Sequence, residues 1–297
     1  MILFKYKSGH TPWYLKFLNY IIMTNVNMTN VNRKQFQAFP YHLVDPSPWP
    51  LLTSFAVFIM AVGAVMYFHG FANGGNLLTL GFLLTASGMI LWFRDVVAEG
   101  TYLGSHTKEV QTGLTIGVAL FIVSEIFAFL SIFWAFFHSS LAPAIEIGSS
   151  WPPFGIEALD PFAVPLLNTI LLLSSGAFIT YGHHALIQGN RSGAIVGTFL
   201  TIIFAILFTG LQYFEYLEAG FTIADSVYGS VFFCSTGLHG LHVIIGTLFI
   251  LVGFIRMINY HLTDTHHQGF EAAILYWHFV DVVWLFLFIA VYYWSGN

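Results

Sequence analysis

Residues 266–288 read HHQGFEAAILYWHFVDVVWLFLF, and this stretch indicates the class of fold to which the chain belongs. Between residues 272 and 295 the only formally charged side chain is that of Asp281. An apolar run of this length exceeds the roughly 20 residues that an α-helix needs to cross a bilayer. The stretch therefore predicts a transmembrane helix that carries a carboxyl group inside the membrane.

Working backward along the chain, six further apolar runs precede this one. Residues 46–93 lack any charged side chain, but they are too long for one crossing and are interrupted at Asn73-Gly74-Gly75-Asn76, which predicts two helices. The runs must be helical, because every backbone amide in hydrocarbon needs a partner within its own segment. The predicted fold is an all-α integral membrane domain of residues 37–297, with seven helices at about 51–70, 77–95, 113–137, 165–186, 194–217, 228–256 and 272–295.

All nine lysine and arginine residues fall on one side of this seven-helix map. Positive charge is retained on the cytoplasmic side of a membrane, or on the matrix side in a mitochondrion. The amino terminus is therefore expected inside, and Asn297 outside. The cations are Lys5, Lys7, Lys16, Arg33 and Lys34 before the first helix, and Arg94, Lys108, Arg191 and Arg256 after it.

Composition and cysteine content exclude several classes of protein. The chain is 57% apolar and 8% charged, whereas a water-soluble domain has about 25% charged residues. The net charge of -5 and the scattered cations exclude nucleic acid as a partner, since nucleic-acid binding requires clustered lysine and arginine. The single cysteine, Cys234, excludes a thiolate zinc cluster, a dinuclear copper site bridged by two thiolates and a covalent c-type haem.

The first 36 residues differ from the rest of the chain. They are polar and basic and contain the repeat MTNVN at residues 23–27 and 28–32. The apolar stretch from Leu15 to Met23 is short and contains Lys16 and Asn19, so it lacks the core of a signal peptide. We expect residues 1–36 to form a loosely ordered extension.

Glu125 is the clearest intramembrane carboxylate, since a charge in mid-span costs roughly 2.5–3.5 kcal/mol on insertion scales. At 1.5 Å per residue, Glu125 lies about 18 Å from the inner end of the third helix and His242 about 21 Å from the inner end of the sixth. These depths predict neighbouring helices and a hydrogen bond between the two side chains. Either a structural pair or a proton relay would account for the bond.

Two further polar groups are predicted by the same reasoning. Gln212 and Glu215 share a face of the fifth helix, and Gln212 matches His239 in depth, at about 27 Å and 26 Å. These residues predict a second polar contact between the fifth and sixth helices, with Glu215 near enough to the membrane interface to be solvated. His278 and Asp281 share a face of the seventh helix, either as a packing network or as part of a proton path.

Thirteen histidines raise the question of haem or metal binding. Two axial haem ligands from facing helices must lie at the same depth in the membrane. Only His183 or His184, opposite His278, comes close to meeting this condition. His266 and His267 lie in the inner loop and are expected to be solvated, and we predict no metal site. A haem-binding cytochrome remains open as one alternative function. A proton or ion transporter is another, although the map lacks inverted repeats and broken central helices.

Three basic residues are candidates for binding lipid, and four glycines are candidates for close contact between helices. Phospholipid head groups are candidate ligands of basic side chains at the inner interface. Small residues permit close approach of membrane helices. The cations are Arg94, Lys108 and Arg256, and the glycines are Gly237, Gly240, Gly246 and Gly253 of the sixth helix.

Several long motifs resemble the cytochrome c oxidase subunit III family, and its mitochondrial branch most closely. They include HLVDPSPWPL at residues 42–51, WFRDVVAE at 92–99, residues 124–143, 151–156, 165–176 and 237–246, and the stretch at 266–288. The resemblance runs from about residue 42 to 296 in the order of the family.

The resemblance implies seven helices split into a pair and a group of five, with a groove between them that holds phospholipids. It also implies that this chain has no redox centre of its own, because haem and copper belong to partner subunits, including catalytic subunit I. The complex reduces oxygen with electrons from cytochrome c and translocates protons. The expected location is the mitochondrial inner membrane, with the amino terminus in the matrix and the carboxyl terminus in the intermembrane space. Glu125 falls on the family's buried carboxylate, and Arg94 lies beside the groove.

Overall fold

A computed structural model describes residues 39–295, so the predicted extension of residues 1–36 lies outside the described part of the chain. The described residues form seven long α-helices and contain no β-strand. All seven are long and apolar enough to cross a membrane, which confirms the predicted fold class. The helices are α1 (Trp49–Phe68), α2 (Gly74–Thr101), α3 (Lys108–Leu141), α4 (Val164–Ile187), α5 (Arg191–Glu218), α6 (Ser226–Ile258) and α7 (Gln268–Leu287).

Most helices extend further than their apolar runs. Helix α3 begins at Lys108 rather than near residue 113 and ends at Leu141 rather than near residue 137. A hydropathy run ends at the first polar side chains, whereas the backbone ladder continues through the interfacial region, because unpaired amides remain costly there. Helix α5 shows how such an end is capped, since the Asn190 side chain accepts a hydrogen bond from the Gly193 amide at 3.1 Å.

The described chain divides into two compact units. The first comprises residues 39–89 and 105–110, and it contains α1 and the first part of α2. Glycines set the distance between these two helices: a methyl group at Gly81 would lie 2.5 Å from the Met60 Cα, and one at Gly63 would lie 2.7 Å from the Leu78 Cα. The two backbones therefore touch at positions that only glycine can occupy.

The second unit comprises residues 90–104 and 111–295, and it contains most of the buried side chains. Helices α4 and α5 approach closely where Gly182 faces Gly197. Two predicted glycine contacts are confirmed, since Gly246 packs on Trp277 and Gly253 on Phe270. For Gly237 and Gly240 the close approach stays a prediction, because the described residues place no atom from another helix within 4 Å of where their Cβ atoms would be. These two glycines lie on a face of α6 that the described residues do not cover.

Helix α7 changes its hydrogen-bond pattern at its outer end. Residues Phe288–Tyr293 form a π-helix, in which each amide bonds five residues back. The amide of Trp294, just beyond it, continues this pattern with a bond to the Ile289 carbonyl at 3.0 Å. Tyr292, the last buried aromatic residue of the described chain, lies within this π-helix.

Candidate functional site

A pair formed by an acid and a histidine connects α3 to α6. Glu125 Oε2 lies 2.9 Å from His242 Nε2, so the hydrogen bond expected from their depths is present. The Glu125 side chain is 23% exposed and that of His242 is 8% exposed. Phe129 lies edge-on to the imidazole, and Tyr276 stacks on it at 6.1 Å between ring centroids. The pair is thus largely surrounded by aromatic groups.

Hydrogen bonding restricts the protonation of this pair. His242 Nδ1 lies 2.8 Å from the Leu238 carbonyl, which can only accept, so Nδ1 carries a hydrogen. If the imidazole is neutral, Nε2 is an acceptor and Glu125 must donate; if Glu125 is ionised, the imidazole must be cationic. In both states the pair shares one proton and has no net charge. Burying such a pair is far less costly than burying a lone carboxylate.

A second acidic group lies where α4, α5 and the π-helix meet. Tyr292 donates a hydrogen bond of 2.5 Å to Glu215 Oε1, and Gln212 donates one of 3.0 Å to the same oxygen. Asn168 in turn donates to Gln212 Oε1 at 3.4 Å. Glu215 is only 3% exposed, so the expectation that it is solvated was wrong. Glu215 lies near the end of its helix in the sequence, but Tyr292 of the π-helix packs on its carboxyl group and hydrogen-bonds to it.

The predicted polar contact between Gln212 and His239 does not form. His239 instead donates from Nε2 to the Val280 carbonyl of α7 at 3.2 Å, and its ring packs against Trp284. Since a carbonyl can only accept, this bond shows that Nε2 carries a hydrogen. Equal depth was not sufficient here, because the two side chains point in different directions around their helix axes.

His278 and Asp281 form a group that resembles the pair of Glu125 and His242. His278 Nδ1 lies 3.3 Å from Asp281 Oδ2, and His278 Nε2 lies 3.2 Å from the Thr180 hydroxyl oxygen. The single hydroxyl hydrogen of Thr180 already bonds to the Gly176 carbonyl at 2.8 Å, so His278 Nε2 must donate to Thr180. Asp281 therefore either donates to Nδ1 or faces a cationic ring. Asp281 is 6% exposed and packs against Gly176, where an added methyl group would lie so close to the carboxylate oxygen that the carboxylate would have to move.

Sequence reasoning missed two tryptophan contacts that hold α7 to α4. Trp277 Nε1 donates to the Ser175 hydroxyl, and Trp284 Nε1 donates to the Thr169 hydroxyl, both at 2.9 Å. Both indoles are fully buried. Their spacing of seven residues was visible as one face of a helix, but nothing in the sequence identified which hydroxyl groups they would reach.

Two of the histidines considered for haem, His183 and His278, have other partners. His183 Nε2 lies 3.3 Å from His267 Nε2, and both ring nitrogens of His278 are engaged by Thr180 and Asp281. His267 was expected to be solvated, but it is buried, because the loop that carries it packs against the end of α4. Nothing in a single sequence showed that residues 84 positions apart would meet there.

The basic residues near the predicted inner interface differ in their surroundings. Arg94 is exposed and bonds to its neighbour Asp95 at 2.7 Å, and Lys108 is exposed at the start of α3. Arg256 turns inward and donates to the Thr101 hydroxyl at 3.3 Å. Nearby, His261 Nε2 lies 2.9 Å from the Tyr102 hydroxyl, and partial burial together with the charge of Arg256 lowers the pKa of His261.

Comparison with known proteins gives a consistent result. A family model described as Cytochrome c oxidase subunit III matches residues 39–296. The cytochrome c oxidase subunit 3 of Mycosarcoma maydis is 66% identical over 90% of this chain and 99% of its own length. Proteins of the same name from Allomyces macrogynus and Schizophyllum commune are 61% and 56% identical, over 89% and 91% of this chain and 96% and 100% of their own lengths.

Proposed function

The chain belongs to the cytochrome c oxidase subunit III family, and we propose that it supports the oxidase as a subunit that holds no redox centre. As a member of this family it is a subunit of cytochrome c oxidase, a respiratory oxidoreductase, and neither the transporter nor the haem-binding cytochrome is favoured. Haem and copper would then lie in partner subunits, and catalytic subunit I would be the principal neighbour.

The observation that supports a stabilising role is the way each polar group joins helices. Glu125 and His242 connect α3 to α6, His239 connects α6 to α7, and His278 connects α7 to α4. A buried polar pair that is fully satisfied fixes the register of the helices that it joins. We therefore assign Glu125 to maintaining the packing of the subunit during turnover rather than to the supply of the protons consumed by oxygen reduction.

Replacement of Glu125 by glutamine tests this assignment. The amide of the introduced glutamine can still donate to His242 Nε2, so oxygen consumption should stay within about twofold of the wild type. Removal of the side chain in Glu125→Ala leaves the buried imidazole nitrogen unpaired, at a cost of about 1–3 kcal/mol. Glu125→Ala should therefore shorten the time for which purified oxidase keeps turning over, measured with an oxygen electrode.

Glu109→Gln, a change to an exposed acid in the first turn of α3, is the matched control and should leave both measurements unchanged. Complete loss of oxygen reduction in a correctly assembled Glu125→Gln oxidase would contradict the supporting role.

We propose that phospholipid head groups bind at the inner interface through Arg94 and Lys108, whose exposed side chains can reach a phosphate. Arg256 is a poorer candidate than expected, because its guanidinium is partly buried and bonded to Thr101. Mass spectrometry of lipids retained by the purified complex should show fewer bound anionic lipids in Arg94→Gln than in Arg191→Gln. Arg191 is a suitable control because it already bonds to the carbonyls at the end of α6.

The fungal relatives and the seven apolar helices support a multi-pass membrane protein. We propose the mitochondrial inner membrane as its location, with the amino terminus in the matrix. The basis for this orientation is the placement of every lysine and arginine on one side of the helix map.

A further inference from the structure

Three potential metal ligands converge at the inner end of the second unit, and we infer that they form a binding site for Zn²⁺. His183 lies near the end of α4, His267 directly precedes α7, and Glu271 lies in the first turn of α7. One nitrogen or oxygen from each residue lies within 4.8 Å of the other two. This site is separate from the polar groups that we assign to helix packing, and it goes beyond the proposed supporting function.

The distances between the ligand atoms fit a tetrahedral zinc ion. Zinc binds histidine nitrogen at about 2.0–2.1 Å, so two such ligands at a tetrahedral angle lie about 3.3 Å apart. His183 Nε2 and His267 Nε2 are separated by 3.3 Å. Glu271 Oε1 lies 3.1 Å from His267 Nε2 and 3.8 Å from His183 Nε2. The three separations are thus close to the ligand–ligand distances of a tetrahedral zinc site, with that between Glu271 and His183 the longest.

Hydrogen bonding prepares His267 to act as a ligand. Its Nδ1 lies 2.8 Å from the Thr263 carbonyl, so Nδ1 carries a hydrogen, and in the neutral ring Nε2 presents a lone pair. A ligating histidine in proteins commonly donates its other N–H to a carbonyl in this manner, which fixes the ring orientation. In the metal-free protein His183 Nε2 can donate its hydrogen to this lone pair. Zinc would replace that hydrogen, and the neutral His183 ring would then be protonated on Nδ1.

Burial and exposure are distributed as a metal site requires. The His267 side chain is 6% exposed, whereas that of Glu271 is 49% exposed and can exchange water for a metal ion. Two histidines and one carboxylate leave the fourth position of zinc for water, as in open zinc sites. Two nitrogen ligands with one oxygen ligand favour zinc over calcium or magnesium, which prefer oxygen alone. Bound zinc would cross-link the end of α4 to the start of α7.

The test measures zinc in the complete oxidase complex. Complexes carrying the wild-type chain, His183→Gln, Glu271→Gln or His184→Gln are stripped with a chelator and dialysed against buffered free zinc, and the retained zinc is counted by mass spectrometry. His184 is the control, because it is exposed and lies beside His183 but outside the cluster. Zinc bound elsewhere in the complex is common to all four samples.

We expect the wild type and His184→Gln to retain one zinc ion more than His183→Gln. Glu271→Gln should bind that ion at least about tenfold more weakly, since even outer-shell partners of a metal contribute 10–100-fold in affinity. The X-ray absorption of the additional zinc should show two imidazole ligands. Equal zinc content in the wild type and His183→Gln would overturn the assignment, whatever the oxygen-reducing activity of the complexes.

A second measurement needs no variant and remains decisive if a substitution prevents assembly. Diethylpyrocarbonate modifies histidine nitrogens that have an accessible lone pair, and the modified residues are identified by peptide mass spectrometry. Zinc should slow the modification of His183 in the wild-type complex while that of the exposed His184 proceeds unchanged. Equal modification rates for His183 with and without zinc would refute the site.

Discussion

At the scale of residues, single polar atoms join helices whose surfaces are otherwise apolar. Trp277 and Trp284 each place one indole N–H on a hydroxyl group of α4, and each ring fills the space between helices. In a membrane the hydrophobic effect does not distinguish a helix neighbour from lipid, so such bonds and close packing carry much of the specificity. Their loss should therefore be measurable one bond at a time.

Trp277→Phe should remove the bond to Ser175 and lower the stability of the subunit by about 1 kcal/mol beyond the effect of lost volume. Ser175→Ala should remove the same bond from the other side. The double variant should be less destabilised than the sum of the two single variants, as measured by thermal unfolding of the purified complex. Strictly additive effects would show that the bond contributes nothing.

His261 provides a prediction about pH. Burial and Arg256 lower its pKa in the native loop, so the native chain takes up this proton only at a lower pH than the unfolded chain does. The contribution of His261 to stability is then complete above the ordinary histidine pKa and decreases as the pH falls below it. His261→Gln should reduce the loss of thermal stability between about pH 7.5 and 5.5, the range around that ordinary pKa. An unchanged loss would contradict the shift.

At the scale of elements, sequence reasoning identified the seven helices and one hydrogen bond between side chains of different helices. The bond between Glu125 and His242 was predictable because a straight helix converts residue number into depth. Depth does not give the direction of a side chain around the axis, which is why Gln212 and His239 match in height yet bond to different partners. Most helices were predicted too short, because hydropathy depends on side chains whereas a helix continues as long as its backbone is hydrogen-bonded.

The glycine contact between α1 and α2 leads to a prediction about this element pair. In Gly81→Ala the added methyl group would overlap the Met60 backbone, so the helices must separate. Overpacking of this kind typically costs about 1–3 kcal/mol. Gly75→Ala is the matched control, since its new methyl group would meet only the Tyr67 ring at an ordinary 3.5 Å. Thermal dissociation of the complex at a lower temperature in Gly81→Ala alone is the expected result.

At the scale of the whole molecule, the asymmetry of positive charge predicts the sidedness of the loops. Asp264 lies in the loop between α6 and α7, and Glu157 lies in the loop between α3 and α4, on the opposite side of the map. In a Cys234→Ser background, Asp264→Cys should react with a membrane-impermeant maleimide only from the matrix side, and Glu157→Cys only from the other side. Labelling of both cysteines from one side would disprove the orientation.

The π-helix at the end of α7 makes this part of the chain tolerant of a change in length. A π-turn accommodates one residue more than an α-turn over the same rise. A chain with one residue fewer between Phe288 and Tyr292 could therefore form an uninterrupted α-helix whose tyrosine hydroxyl still donates a hydrogen bond to Glu215. In an uninterrupted α-helix, by contrast, removal of one residue rotates the side chains that follow it by about 100°, which would turn such a tyrosine away from Glu215 and leave Gln212 as the donor.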